Sequence, residues 1–167
     1  VGYWNFNAGT GTTVTDQTSN GNNGTMNGAS WTGNGAPVTE TITATNTHSL
    51  SFDGDGDYVE ILDADNLSPS DFTLELWVKQ PELLTGRNQY FMKRSPNGHE
   101  YIFAEDAPTN GGLYVYVDSE FYQVSSHPPA DGWSHLATTF NSSTGLVEIF
   151  VDGVSVGSGT LSASVLN

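Results

Sequence analysis

With 167 residues and 17.8 kDa, the chain has the length of one ordinary domain. Its 19 Asp and Glu against 4 Lys and Arg give a net charge of −15, which opposes nucleic acid and anionic membranes, because Lys and Arg carry the affinity for such surfaces. It has no Cys, which excludes disulfides, Cys-based zinc sites and thiol nucleophiles, while 4 Trp, 7 Tyr and 8 Phe supply the apolar burial that disordered chains lack.

No apolar run approaches the roughly 18 residues that span a bilayer, and Val1-Gly2-Tyr3-Trp4 lacks the basic start of a secretion signal, so membrane insertion is not expected. The acidic, Thr/Asn/Gly-rich composition is one met in secreted and cell-surface proteins. The stretch from Asn7 to Asn46 reads as long loops around Trp4 and Trp31. Strand-like runs follow at Leu50 to Phe52 and Tyr58 to Leu62. Asp63 to Asp71 has room for a helical turn at most. Period two is clearest in Phe72 to Lys79, whose even positions are all apolar, as in a strand with one buried face. Further strands are predicted at Gln89 to Lys93, Glu100 to Ala104, Leu113 to Asp118, Phe121 to Ser125, Trp133 to Phe140 and Leu146 to Val151. Asn141 to Gly145 is a turn cluster, and Val151-Asp152-Gly153-Val154 predicts a hairpin through a type I′ turn. Many short strands without a helical period predict an all-β, two-sheet antiparallel sandwich.

Two oxygen-rich loops are candidates for a hard cation such as calcium, which takes six to eight oxygen ligands. One runs from Asp16 to Gly24 and offers the Asp16 carboxylate with the amides of Asn20 and Asn22; the other is Asp53-Gly54-Asp55-Gly56-Asp57. Each reads equally as a turn closed by its own side-chain hydrogen bonds. Glycoside cleavage needs paired carboxylates, and no Glu-x-Asp-x-Glu run is present; Glu105 and Asp106 are adjacent and so fall on opposite strand faces. The His residues are too scattered for a His-x-x-x-His metal site, and His135 reads as a hydrogen-bonded structural residue. Alternation places Leu113, Val115 and Val117 on one face and Tyr114 and Tyr116 on the other. The valines are expected in the core, and the tyrosines, with Phe121 and Tyr122 beyond a turn at Asp118 to Glu120, are candidates for a sugar-stacking surface.

Several segments in order carry a resemblance: Tyr3-Trp4-Asn5-Phe6, Asn20 to Thr25, Leu50 to Gly54 with Asp57-Tyr58-Val59, Phe72 to Lys79, Gly132 to Ala137, and Val151-Asp152-Gly153. Together they resemble the laminin G-like, concanavalin A-like jelly-roll domains over nearly the whole chain. The resemblance implies one jelly-roll domain over residues 1–167, generally non-catalytic, with calcium, glycans or surface proteins as partners. It places calcium at Asp16 with Asn20 and Asn22, then at Asp53 and Asp57, and it maps a laminin G rim position loosely onto Glu100. The family usually closes with a strand bearing Ile-Asp-Glu-Val, which Leu161 to Asn167 does not contain; either the chain is a fragment, the segment is replaced, or another chain completes the sheet, and an uncovered edge would invite strand addition and self-assembly. A glycan-binding or adhesive extracellular module fits these features. So do a building block of a surface layer or filament, and an accessory domain of a glycoside hydrolase.

Overall fold

The computed structural model of the protein describes residues 2–36, 46–80, 86–95, 98–107 and 111–162. It divides into two compact units, Val1–Leu67 and Ser68–Asn167. In the first unit, β1 (Thr13–Val14), β2 (Gly24–Asn27) and β5 (Tyr58–Ile61) form an antiparallel sheet in the order β1-β2-β5. A second pair joins β3 (Ser30–Thr32) to β4 (Ser49–Ser51), with Trp31 opposite Leu50. Three of these strands lie within the stretch expected to be loop. They are too short for alternation to register in sequence, and tertiary pairing and the burial of Val14 and Met26 hold them in place. Residues 37–45 of that stretch lie outside the described residues. The expected helical turn is a 3-10 turn at Asp65–Leu67.

The second unit is a two-sheet antiparallel sandwich. Its first sheet contains β6 (Phe72–Lys79), β11 (Trp133–Asn141), β12 (Leu146–Val151) and β13 (Val154–Thr160), in the order β13-β12-β11-β6. The second contains β7 (Gly86–Ser95), β8 (Gly98–Ala107), β9 (Leu113–Val117) and β10 (Glu120–Gln123), in the order β10-β9-β8-β7. The core between them takes Phe72 from β6, Phe103 from β8, Val115 and Val117 from β9, Leu136 and Phe140 from β11, and Val147 and Ile149 from β12. Burying each such side chain contributes about 1.5–3 kcal/mol. The even residues of β6 pack on this core as their period requires, Phe72 fully and Leu74, Leu76 and Val78 in part.

The β12-β13 hairpin turns at Asp152 and Gly153, both at positive φ (51° and 77°), as a type I′ turn demands. Asp152 Oδ1 also accepts the His135 backbone N–H at 2.8 Å, tying the turn to β11. The turn before β12 is organised by Asn141, whose Oδ1 accepts the backbone N–H groups of Ser143 and Thr144, each at 3.1 Å. The end of the chain, 163–167, where the closing strand pattern was sought, lies outside the described residues.

Candidate functional site

The β9-β10 connection is the two-residue turn Asp118-Ser119, with Asp118 at φ 53°. It pairs Val117 with Glu120, Tyr116 with Phe121, Val115 with Tyr122 and Tyr114 with Gln123. Extending the register through β8 and β7 sets two rows across the face turned away from the core. One row reads Met92, Ile102, Tyr116, Phe121, and the next reads Gln89, Ala104, Tyr114, Gln123. The first is an apolar stripe across four strands, about 14 Å long at the ~4.8 Å strand spacing. Its ends are open, Phe121 at 60% and Met92 at 42% exposure, and its middle is closed, Ile102 being 6% exposed. The second row carries an amide at each end and is bordered by the facing pair Arg87 and Asp106, 3.9 Å apart. The Arg87 guanidinium lies 5.6 Å from the centre of the Tyr114 ring, within cation–π range.

Tyr114 is only 7% exposed, and its hydroxyl oxygen has no hydrogen-bond partner among the described residues. Burial raises the Tyr114 pKa, Arg87 opposing and Asp106 adding to the effect, so the group stays a phenol able to donate. Gln123 rests against Gly111, where a β-carbon would collide with the Gln123 amide.

The structure thus joins Tyr114, Tyr116 and Phe121 on one face and removes Tyr122 from it. Tyr122 is opposite Val115 and packs into the core, because a two-residue turn fixes the parity of β10 against β9. Tyr114 is also more deeply buried than a solvent-side residue. Glu100 is 4% exposed and already paired, its Oε2 2.9 Å from Lys93 Nζ and 3.0 Å from the donating Ser68 hydroxyl. It is therefore part of a buried ion pair and not of a rim.

Asp16 holds its loop together. Its Oδ1 accepts the backbone N–H of Tyr3 (3.1 Å) and of Thr18 (2.9 Å), and its Oδ2 accepts the Thr18 hydroxyl (2.9 Å) and the Asn22 N–H (3.0 Å). Burial alone would raise its pKa; these hydrogen bonds outweigh burial and hold the carboxyl down at about 2. Donors stand where a cation would stand, so the Asp16 loop does not fit calcium as arranged. The Asn22 side chain donates instead to Asn66 Oδ1 at 3.2 Å, and the Asn20 N–H donates to the Thr18 hydroxyl at 3.3 Å. In the second loop the Asp53 N–H donates to Asp57 Oδ2 (2.8 Å) and the Asp55 N–H to Asp53 Oδ1 (2.9 Å), with Gly54 and Gly56 at positive φ. Among the described residues, no three His, Asp or Glu side chains converge as a metal site.

Sequence reading missed one polar cluster. Glu105, on the inner face of β8, is fully buried, and its Oε2 accepts from Tyr90 Oη and Gln80 Nε2, both at 2.7 Å. Its Oε1 is 2.7 Å from His127 Nδ1, which donates to it. Burial raises the Tyr90 pKa and the bond to Glu105 adds to this, so Tyr90 remains a donor. Nothing local in the sequence joins Glu105 to His127, which the chain brings in from the loop after β10. Asp106 points to the other face, as adjacency requires.

Comparison with known proteins follows this geometry. A family model described as the concanavalin A-like lectin/glucanases superfamily matches residues 53–167. A search of curated proteins found no match. Among solved structures, Domain 4 of AbnA, a GH43 extracellular arabinanase from Geobacillus stearothermophilus in complex with arabinotriose, aligns at 22% identity and TM-score 0.65, over 90% of this chain and 71% of that one. A "putative carbohydrate binding protein" from Bacteroides ovatus ATCC 8483 aligns at 21% identity and TM-score 0.47, over 59% of this chain and 28% of that one. The chain thus spans less than a third of that second protein's length. The AbnA likeness is one of fold, over most of the chain. No helix among the described residues is long and apolar enough to cross a membrane. With the sandwich, the strand register and a family match over more than half of its residues, the chain belongs to the concanavalin A-like lectin/glucanases superfamily.

Proposed function

We propose that residues 1–167 form one non-catalytic, glycan-binding module of an extracellular or cell-surface protein, and that the glycan lies across the outer face of the β7–β10 sheet. The observation that carries this reading is the pair of open apolar ends of the stripe, Phe121 and Met92, set in register with Tyr116 and bordered by the exposed amide of Gln89 and by Arg87. Sugar rings present apolar C–H faces and hydroxyl edges. The stripe Met92, Ile102, Tyr116 and Phe121 suits the former, and Gln89, Gln123, Arg87 and Asp106 suit the latter. The arabinotriose in the AbnA domain 4 structure is of this ligand class. Against catalysis stands the commitment of the buried Glu105 to three hydrogen bonds. The β7 edge carries Arg87, Lys93 and Arg94, and charged edges oppose strand addition, so self-assembly is not part of the proposal. Calcium enters it only at the exposed Asp53–Asp57 turn, whose carboxylates would have to close around the ion.

Affinity electrophoresis in gels containing neutral polysaccharides, arabinan among them, tests the reading. Retardation by at least one polysaccharide is expected, and Phe121→Ala and Tyr116→Ala should abolish it while leaving the fold intact by circular dichroism. Unchanged mobility of the wild type across the panel, or retardation that survives both substitutions, overturns the site.

A further inference from the structure

The first unit contains a cleft of about 240 Å³ lined by Asn5, Phe6, Asn7, Val14, Gln17 and Trp31 among others. In a chain of net charge −15, none of the residues lining it is charged. Two aromatic rings and three amides instead suit a neutral ligand with an apolar face and a hydroxyl edge. The cleft is smaller than the roughly 300–1,000 Å³ that encloses a drug-sized ligand, and so suits one ring rather than a chain of them.

The amides are only partly committed. Asn7 Oδ1 accepts the Thr47 N–H at 3.1 Å, and its Nδ2 donates to Asn46 Oδ1 at 3.2 Å. Asn5 Oδ1 accepts the Asn7 N–H at 3.2 Å, and Gln17 Nε2 donates to the Thr15 carbonyl at 3.1 Å. The Asn5 amide nitrogen and the Gln17 amide oxygen, on two of the residues that line the cleft, are left without a hydrogen bond among the described residues. The backbone supplies a second observation. Phe6 lies at φ 54°, in the left-handed region, where a bulky residue is strained. Such strain is held only where the surroundings over-determine it, and it concentrates at ligand-binding positions.

We infer that this cleft is a second carbohydrate subsite, taking one neutral sugar ring against Phe6 and Trp31 with its hydroxyls on Asn5 and Gln17. It lies outside the β7–β10 face and rests on the glycan reading only for the class of ligand.

The test is a ¹⁵N NMR titration of the full chain with neutral trisaccharides of arabinose, xylose, glucose and mannose, each in turn. The Trp31 indole N–H, which donates to the Gly11 carbonyl at 2.7 Å, reports on the cleft, and the Tyr116 and Phe121 amides report on the sheet face. For at least one sugar the Trp31 indole and the Asn5 and Gln17 side-chain amides should shift together. Gln17→Ala, an exposed substitution, should weaken that titration roughly fivefold, as for one neutral hydrogen bond, while the Trp4 indole signal stays in place as a check of fold. Shifts at Tyr116 and Phe121 without any at Trp31 overturn the subsite and leave the sheet-face reading standing. A Trp31 titration unaffected by Gln17→Ala also overturns it, and no shift with any of the sugars overturns both.

Discussion

The ring of Tyr122 fills the space that a side chain at Gly159 would need: a β-carbon built there stands 2.3 Å from Tyr122 Cδ2, and one at Gly157 stands 2.9 Å from its hydroxyl. Two glycines of β13 thus let an aromatic of the opposite sheet lie flat against the strand. Gly159→Ala forces the ring or the strand to move, and overpacking of this kind costs about 1–3 kcal/mol. Urea unfolding should show the loss as a lower midpoint. Glycan retention of the folded variant should not change, because Tyr122 faces the core; a loss of retention would return Tyr122 to the binding face.

Tyr114→Phe tests the buried hydroxyl. The Tyr114 hydroxyl is buried without a partner among the described residues, so its removal breaks no bond there and relieves a desolvated polar group, a gain of about 1 kcal/mol. The ring, and with it the contact to Arg87, remains. Melting temperature is therefore expected to hold or rise, and affinity-gel retention to hold, because a hydroxyl closed to solvent does not reach a ligand on the sheet face. A fall in melting temperature would mean that the hydroxyl bonds within the protein, and lost retention that it opens to the ligand.

Parity explains what the sequence could and could not reveal here. Alternation alone sorted Leu113, Val115 and Val117 from Tyr114 and Tyr116, and the structure keeps that division, with all three aliphatic residues at 0% exposure. Tyr122 required the turn length as well. Taken as a two-residue hairpin at Asp118-Ser119, the sequence puts Tyr122 opposite Val115, whereas a three-residue turn reverses its face. The Asp152-Gly153 hairpin was legible because its residues demand positive φ. β1 to β3 and the Glu105 cluster were not, because both arise from pairing of distant segments whose local patterns are short or absent.

Glu105 is expected to be the most sensitive polar residue of the sandwich. Glu105→Gln offers an amide N–H₂ where Tyr90, Gln80 or His127 now donates, so at least one buried donor loses its acceptor. Breaking a buried charged network by changing one partner costs about 3 kcal/mol or more. Chemical denaturation should register this loss, whereas Asp106→Asn, at the partly exposed pair with Arg87, should cost less than about 1 kcal/mol.

Acid stability should trace Asp16. Its folded pKa of about 2 lies below the ordinary 3.8, so the folded state binds its proton less readily than the unfolded chain does. The contribution is complete above the unfolded value and is lost as pH falls from about 4 through about 2. Asp16→Asn accepts fewer of the four donors, lowers stability at neutral pH, and should flatten the decline over that window. An unchanged acid limb in melting curves from pH 5 to pH 2 would show that other carboxyls set it.

Calcium is then a question about a different loop. Because the Asp16 oxygens already carry four donors, a calcium-dependent rise in melting temperature, measured against EDTA at fixed ionic strength, should disappear in Asp53→Asn and persist in Asp16→Asn. A ligand bound only to the folded state at 100 times its Kd adds about 2.7 kcal/mol, enough to be seen as a rise of several degrees. A rise that magnesium reproduces would be general attraction of divalent cations to the net charge of −15 and not a calcium-selective site. No rise at all would leave Asp53 and Asp57 as the turn their hydrogen bonds already make, with Gly54 and Gly56 supplying the positive φ that the turn requires.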